Sequence, residues 1–179
     1  EMAYQVLKIA KEQKLDIEKA LFANNKYEAG SASAARELAG LGAYMKSNVA
    51  NIGGSGGANP TGSVPGATAR TNGTQTAFTQ ADFDTVMQSI WVAGGKADTV
   101  YLSSFQMNLA LAFVGNNNQR STVQAEDTKV VKSLDVYVTP WGTVEFMPHR
   151  ECQSRDVWIL DNDMFEVAVL RPTKNTELA

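Results

Sequence analysis

His149 and Cys152 are the chain's only histidine and only cysteine, and they stand three residues apart. An imidazole beside a thiol is the smallest nucleophilic pair a protein can assemble, with the ring drawing off the thiol proton. Such a pair also needs a third group to orient the ring, and no Asn or Asp sits at a spacing that supplies one. Packing is therefore the simpler reading of both residues. Asp161 and Asp163 could offer oxygens to a hard cation, but the stretch lacks the glycine and distal glutamate of a calcium loop. An Asp-Asn-Asp turn accounts for them. Ser103-Ser104 lacks the G-x-S-x-G elbow that would raise a serine into a nucleophile.

The stretch 51–78, NIGGSGGANPTGSVPGATARTNGTQTAF, holds half of the chain's 14 glycines and invites a phosphate-binding reading. Gly57 and Gly62 have the separation of a GxxxxGK[ST] loop. Ser63 stands where the phosphate lysine belongs, and Val64 replaces the hydroxyl that would hold magnesium. Pro65 and Gly66 follow where a helix N-terminus should present its free N–H groups. Gly54 and Gly56 begin a GxGxxG, but Asn59 occupies its third glycine position. What remains is a Gly/Ser/Thr connection whose only charged residue is Arg70. As a free coil it would span about 30 Å root-mean-square. Loops this long inside a domain are uncommon, and the expectation is a flexible junction between two parts.

The 179 residues suffice for one sizeable domain or a domain with an appendage. A net charge of −3 offers no basic field for nucleic acid or anionic lipid. Trp91, Trp141 and Trp158 are therefore read as core or interface residues rather than base-stacking platforms. One cysteine excludes an internal disulfide and a multi-cysteine zinc site. No apolar run approaches the roughly 20 residues that span a bilayer. Catalytic, cofactor-binding and metal residues are each expected to be none, and the chain is not expected to be an enzyme.

Residues 1–28 contain no Gly or Pro, and Met2, Val6, Ile9, Ala10, Ile17, Ala20 and Leu21 share one side at 100° per residue. This predicts a long amphipathic helix of about 40 Å that covers a core. Gln13 and Lys14 interrupt the stripe, which argues against a coiled-coil seam. A second helix, weakened by Gly40 and Gly42, is expected through ASAARELAGLGAYMKS (32–47). Thr79 and Asp82 form a capping box ahead of QADFDTVMQSIWVA (80–93), where Phe83, Val86, Met87, Ile90 and Trp91 repeat at helical spacing and Gly94-Gly95 stops the helix. TVYLS (99–103) reads as a buried strand. Ser104 is expected to cap a further helix carried by Phe105, Leu109 and Phe113, ending at GNNNQ (115–119).

From residue 129 the period changes to two. VVKSLDVYVT and GTVEFMP read as a hairpin turning at Thr139-Pro140-Trp141-Gly142, and DVWILD and FEVAVLRP as two more strands. Helices first and strands second, with one strand early, predicts an α+β fold. The chain opens in mid-helix at Glu1 and ends without a closing element, so it reads as a fragment lacking both ends.

Four ordered stretches sharpen this: SIWVAGGKADTVYLSSFQMN (89–108), LDVYVTPWGTVEFMPHR (134–150), DVWILDNDMFEVAVLRP (156–172) and TKNTELA (173–179). With ARELAGLGAYM (35–45), they resemble the major capsid proteins of tailed bacteriophages. The likeness covers most of residues 1–50 and 77–179, and its specificity lies in the ordered set. It implies the fold shared with herpesvirus capsid floors, with a long spine-type helix and helices packed on a central mixed sheet. The expected division is 1–50, peripheral and spine-like; 51–78, flexible loop; 79–170, axial-like α+β domain; and 171–179, a truncated return to the peripheral part.

The function the resemblance implies is a structural subunit of a phage or prophage icosahedral capsid, assembling into pentamers and hexamers around the DNA genome. Its partner would be itself, with scaffold, portal or decoration proteins as further candidates, and neither sequence-specific nucleic acid nor membrane. The location would be the virion capsid, assembled in the bacterial host cytoplasm. The family's N-terminal arm, extended loop and final peripheral strands have no counterpart here, so a monomer is compatible with a fragment of this extent. The competing reading is a small-ligand module or cryptic enzyme using His149 and Cys152.

Overall fold

Thr79 sets the start of the best-specified helix. Its side chain accepts the Asp82 N–H, and the Asp82 carboxylate accepts the Thr79 N–H at 3.2 Å, which completes the capping box read from sequence. The other end closes as predicted. Gly94 has φ +84°, its N–H donates to Trp91 O at 3.0 Å, and Gly95 N–H donates to Ile90 O at 3.0 Å. This crossed pair satisfies the last carbonyls and needs the left-handed glycine.

The computed structural model describes residues 2–50, 55–113, 136–166 and 168. Three α-helices are present among them: α1 (Met2–Phe22), α2 (Gln80–Val92) and α3 (Ser104–Phe113). The strands are β1 (Thr99–Leu102), β2 (Val136–Thr139), β3 (Gly142–Pro148) and β4 (Val157–Leu160). They form one sheet in the order β2-β3-β1-β4. The early strand β1 is central, parallel to β3 and antiparallel to β4, while β2 and β3 make the predicted antiparallel hairpin. Pro140-Trp141 forms its two-residue tip, and Gly142 takes φ +149°. Helices over a mixed sheet make the α+β class that the change of period predicts.

One sheet face carries the main core. Val100 and Leu102 from β1, Tyr137 from β2, and Val144 and Phe146 from β3 pack with Phe83 and Met87 of α2 and Ala110 of α3. Phe83 is edge-on to Tyr137, with ring centroids 5.7 Å apart. The opposite face carries a smaller cluster of Phe22, Cys152, Trp158 and Leu160, flanked by Tyr101, Leu41 and Met45. The last residue of α1 thereby seats the helix on the β1/β4 half of the sheet.

Several expectations are corrected. The first helix stops at Phe22 rather than continuing to residue 28. Asn24 Nδ2 donates to Arg70 O at 2.9 Å and Asn25 Nδ2 to Leu38 O at 2.8 Å, so tertiary bonds outcompete another helical turn. Nor does α1 cover a core, since residues 4–19 are exposed throughout. The second helix is absent. Glu28 and Glu37 exchange backbone bonds at 3.1 Å in an antiparallel bridge, leaving only a 3-10 turn at Leu41–Ala43. In α3 the N-cap is Ser103, whose Oγ accepts Gln106 N–H at 3.3 Å, and the buried face is Gln106 and Ala110 while Phe105 is exposed. Trp91 likewise turns outward from α2.

The strand expected at 130–139 is described only over Val136–Thr139, and Asn162–Met164 forms a 3-10 turn after β4. The GNNNQ stop, the terminal segment 171–179 and most of FEVAVLRP lie outside the described residues.

Candidate functional site

His149 and Cys152 come close together, but each is engaged elsewhere. The His149 ring packs on Phe22 with centroids 4.5 Å apart, and its Nδ1 accepts the Glu151 N–H at 3.3 Å. The buried Cys152 Sγ faces the carbonyl oxygens of Asp156 at 3.6 Å and Gln153 at 3.8 Å. Burial, and then the negative charge of Asp156, push the thiol up to about 12; Trp158 and the Arg70 cation offset only part of that rise. A thiol held in this way stays protonated and is a poor nucleophile. The pair packs the second cluster, and no orienting group completes a relay among the described residues.

The remaining sequence candidates also have structural partners. Asp161 Oδ1 accepts the Asp163 N–H at 3.2 Å and caps the 3-10 turn that follows. Among the described residues, no group of three or more His, Cys, Asp or Glu is placed to hold a metal ion. No described helix is long and apolar enough to cross a membrane. Gly57 and Gly62 do not open onto a helix. Residues 55–78 fold back as a wide hairpin in which Ala58 and Thr71 exchange backbone bonds at 3.1 and 2.9 Å. Gly57 and Gly73 face each other closely enough that a Cβ on Gly73 would lie 2.8 Å from Gly57 N. These glycines permit chain-on-chain contact.

Arg70, the one charge in that segment, is its anchor. Its guanidinium pairs with Asp156, lies 5.4 Å from the centroid of the Trp158 ring, and its backbone oxygen takes the Asn24 side-chain bond. One residue therefore links the end of α1, the glycine-rich hairpin and β4. Gly66 N–H donates to Ala43 O at 3.2 Å, and Tyr27 N–H to Gly66 O at 2.8 Å. Arg155 adds a bond to Gly73 O at 2.9 Å. The sequence shows Arg70 as a lone charge in its stretch, while its partner Asp156 has no local signature. The available signal was a lone cation in an otherwise uncharged stretch, which predicts a buried anion elsewhere. Between the hairpin and the sheet lies a cleft of ≈ 520 Å³ lined by Met45, Val49, Arg70, Phe105 and Trp158.

Among the described residues, α1 and one half of the sheet carry exposed apolar side chains. Val6, Ile9 and Ile17 are exposed along α1. On the sheet face opposite the main core, Phe22 and its neighbours cover β1 and β4, while Val136, Val138 and Met147 on β2 and β3 stand open. Uncovered apolar surface of this kind marks contact with other macromolecules.

A family model described as SU10 major capsid protein matches residues 1–179. The chain belongs to the SU10 major capsid protein family. No curated protein matches it. As a member of a phage major capsid family, it is a structural subunit of the capsid, and its place is the virion shell. The family accounts for a molecule whose rare reactive residues are spent on packing and whose open surfaces are apolar. The fold places the candidate side chains His149, Cys152, Asp161 and Asp163 in turns and packed clusters.

Proposed function

We propose that this major capsid protein closes an icosahedral shell through pentamers and hexamers of itself, enclosing the DNA genome, and that it assembles in the bacterial host cytoplasm. The family match across the whole chain carries this reading. The mechanism is geometric. Heterologous contacts between unlike surfaces form rings when the rotation closes. Repetition then makes individually weak contacts stable. Residues 1–50 would serve as the peripheral, spine-bearing part and 79–170 as the axial part. The hairpin of residues 55–78 would be their junction, with Arg70 setting how the parts meet. Scaffold, portal and decoration proteins are candidate further partners.

The test is electron microscopy of the complete gene product expressed in a bacterial host. Uniform icosahedral particles are expected. A product that stays monomeric with both termini intact overturns the reading.

A further inference from the structure

The helix stripe and the bare sheet half share a pattern. At 100° per residue, Val6, Ala10, Gln13 and Ile17 recur on one side of α1 at spacings of four, three and four, with Ile9 and Lys14 at its margins. The stripe is apolar at both ends and polar in the middle, at Gln13 and Lys14. Ile9 and Ile17 are each 51% exposed. The stretch from Val6 to Ile17 measures about 16 Å at 1.5 Å per residue.

The bare sheet half repeats this order. Val138 pairs with Thr143, Val136 with Glu145, and Met147 with Tyr101, so these residues project from one face in three successive rows. Val138 is 70% and Val136 55% exposed. The middle row carries Glu145, and apolar side chains flank it. From Thr143 to Met147 the strand runs about 13 Å. Lys14 and Glu145 are both exposed, and neither has an ion-pair partner among the described residues. Length, apolar ends and central opposite charges all match.

Within one chain the two surfaces do not cover each other, because the stripe and the sheet half are exposed together. The same helix nevertheless seats on this sheet face through Phe22, over the neighbouring strands β1 and β4. We infer that α1 of one copy docks on the β2–β3 face of a second copy, with Val6, Ala10 and Ile17 against Val136, Val138 and Met147 and Lys14 beside Glu145. The inference rests on the capsid-subunit reading and names one of its contacts. Made in one direction around successive copies, helix on sheet is a heterologous contact, which closes a ring when the rotation permits. A central charge pair fixes register and adds orientation more than affinity.

The experiment uses the complete gene product and scores self-association by sedimentation velocity and particles by electron microscopy. Ile17→Asp and Val138→Glu alter exposed side chains, so helicity by circular dichroism should stay unchanged while the assembled fraction falls at least tenfold. Val64→Glu, exposed elsewhere, serves as the control and should assemble normally. Lys14→Glu and Glu145→Lys should each reduce assembly, and the double swap should restore it. Unchanged assembly in Ile17→Asp and Val138→Glu overturns the contact while leaving the capsid reading intact, whereas a wild-type complete gene product that forms no shells defeats the capsid reading itself. Defects in both single charge variants without rescue in the double swap overturn the pairing. A Lys14→Cys/Glu145→Cys chain, oxidised during assembly, should give covalent ladders. A cross-link confined to monomer overturns the second-copy assignment.

Discussion

The Arg70 guanidinium sits 5.4 Å from the centroid of the Trp158 ring while it pairs with Asp156, whose side chain is 5% exposed. Cation, aromatic face and buried carboxylate form one unit joining the glycine-rich hairpin to β4. Truncating only the cation strands a buried negative charge, which costs more than the intact pair contributes.

Arg70→Ala is therefore expected to destabilise the chain by about 3 kcal/mol, read from urea unfolding. Arg70→Met paired with Asp156→Leu removes both charges while keeping most of the volume, and should recover most of that loss. Equal losses in the single and double variants would show that the ion pair is not what anchors the hairpin.

Cys152 gives a pH prediction. Its ordinary value of 9.0 is raised to about 12 in the folded chain by burial and by Asp156. Above pH 9 the unfolded chain releases this proton while the folded chain retains it. The thiol's contribution is thus fully present below about pH 9 and is lost as pH rises toward 12. The slope contributed is at most about 1.4 kcal/mol per pH unit. Cys152→Ala should lose that alkaline slope relative to wild type. At pH 8, a thiol reagent should label the native chain at the rate of local opening, far below the rate in denaturant. Labelling at the free-thiol rate would contradict the buried geometry.

Local signals were the legible ones. Thr79, Asp82, Gly94 and Gly95 lie within a few residues of the groups they satisfy, so sequence spacing alone predicts both ends of α2. The hairpin at Pro140-Trp141 and the central strand β1 were legible for the same reason: turn chemistry and a period of two are local properties. The errors sit where distant segments compete. Helical propensity favours carrying α1 past Phe22, but Asn24 and Asn25 bond to residues 46 and 13 positions away. The α3 face slipped because Gln106, a polar residue, is buried through its bond to Ser154 O at 2.6 Å. Asp156 was invisible as an anchor because its partner lies 86 residues earlier. The candidate catalytic pair was visible as spacing, while its packed role depends on Phe22 arriving from the far end of the chain.

The α2 capping box makes a smaller, local prediction. Thr79→Ala removes the acceptor for the Asp82 N–H and should cost about 1 kcal/mol in urea unfolding. Thr79→Ser keeps the hydroxyl and should lie within a few tenths of wild type. A Ser variant as unstable as the Ala variant would assign the effect to the Thr79 methyl group.

Two glycines separate close approach from backbone conformation. Gly40 has ordinary backbone angles, φ −72° and ψ 160°, yet a Cβ there would lie 1.8 Å from Ala23 O. Its N–H also donates to Asn25 O at 3.0 Å, so the two chains cannot part without losing that bond. Gly56 is the reverse case, with φ +83° and nothing within 4 Å of the added atom. Gly56→Ala should cost only the left-handed backbone penalty, about 1–2 kcal/mol. Gly40→Ala must displace backbone and should cost more, about 3 kcal/mol as an overpacked contact. It should also raise amide exchange at Gly40 and along the Glu28–Glu37 bridge, while exchange in α2 stays at its wild-type level. If Gly40→Ala is the milder substitution, the packing of residues 23–25 against 38–40 does not hold the end of α1 in place.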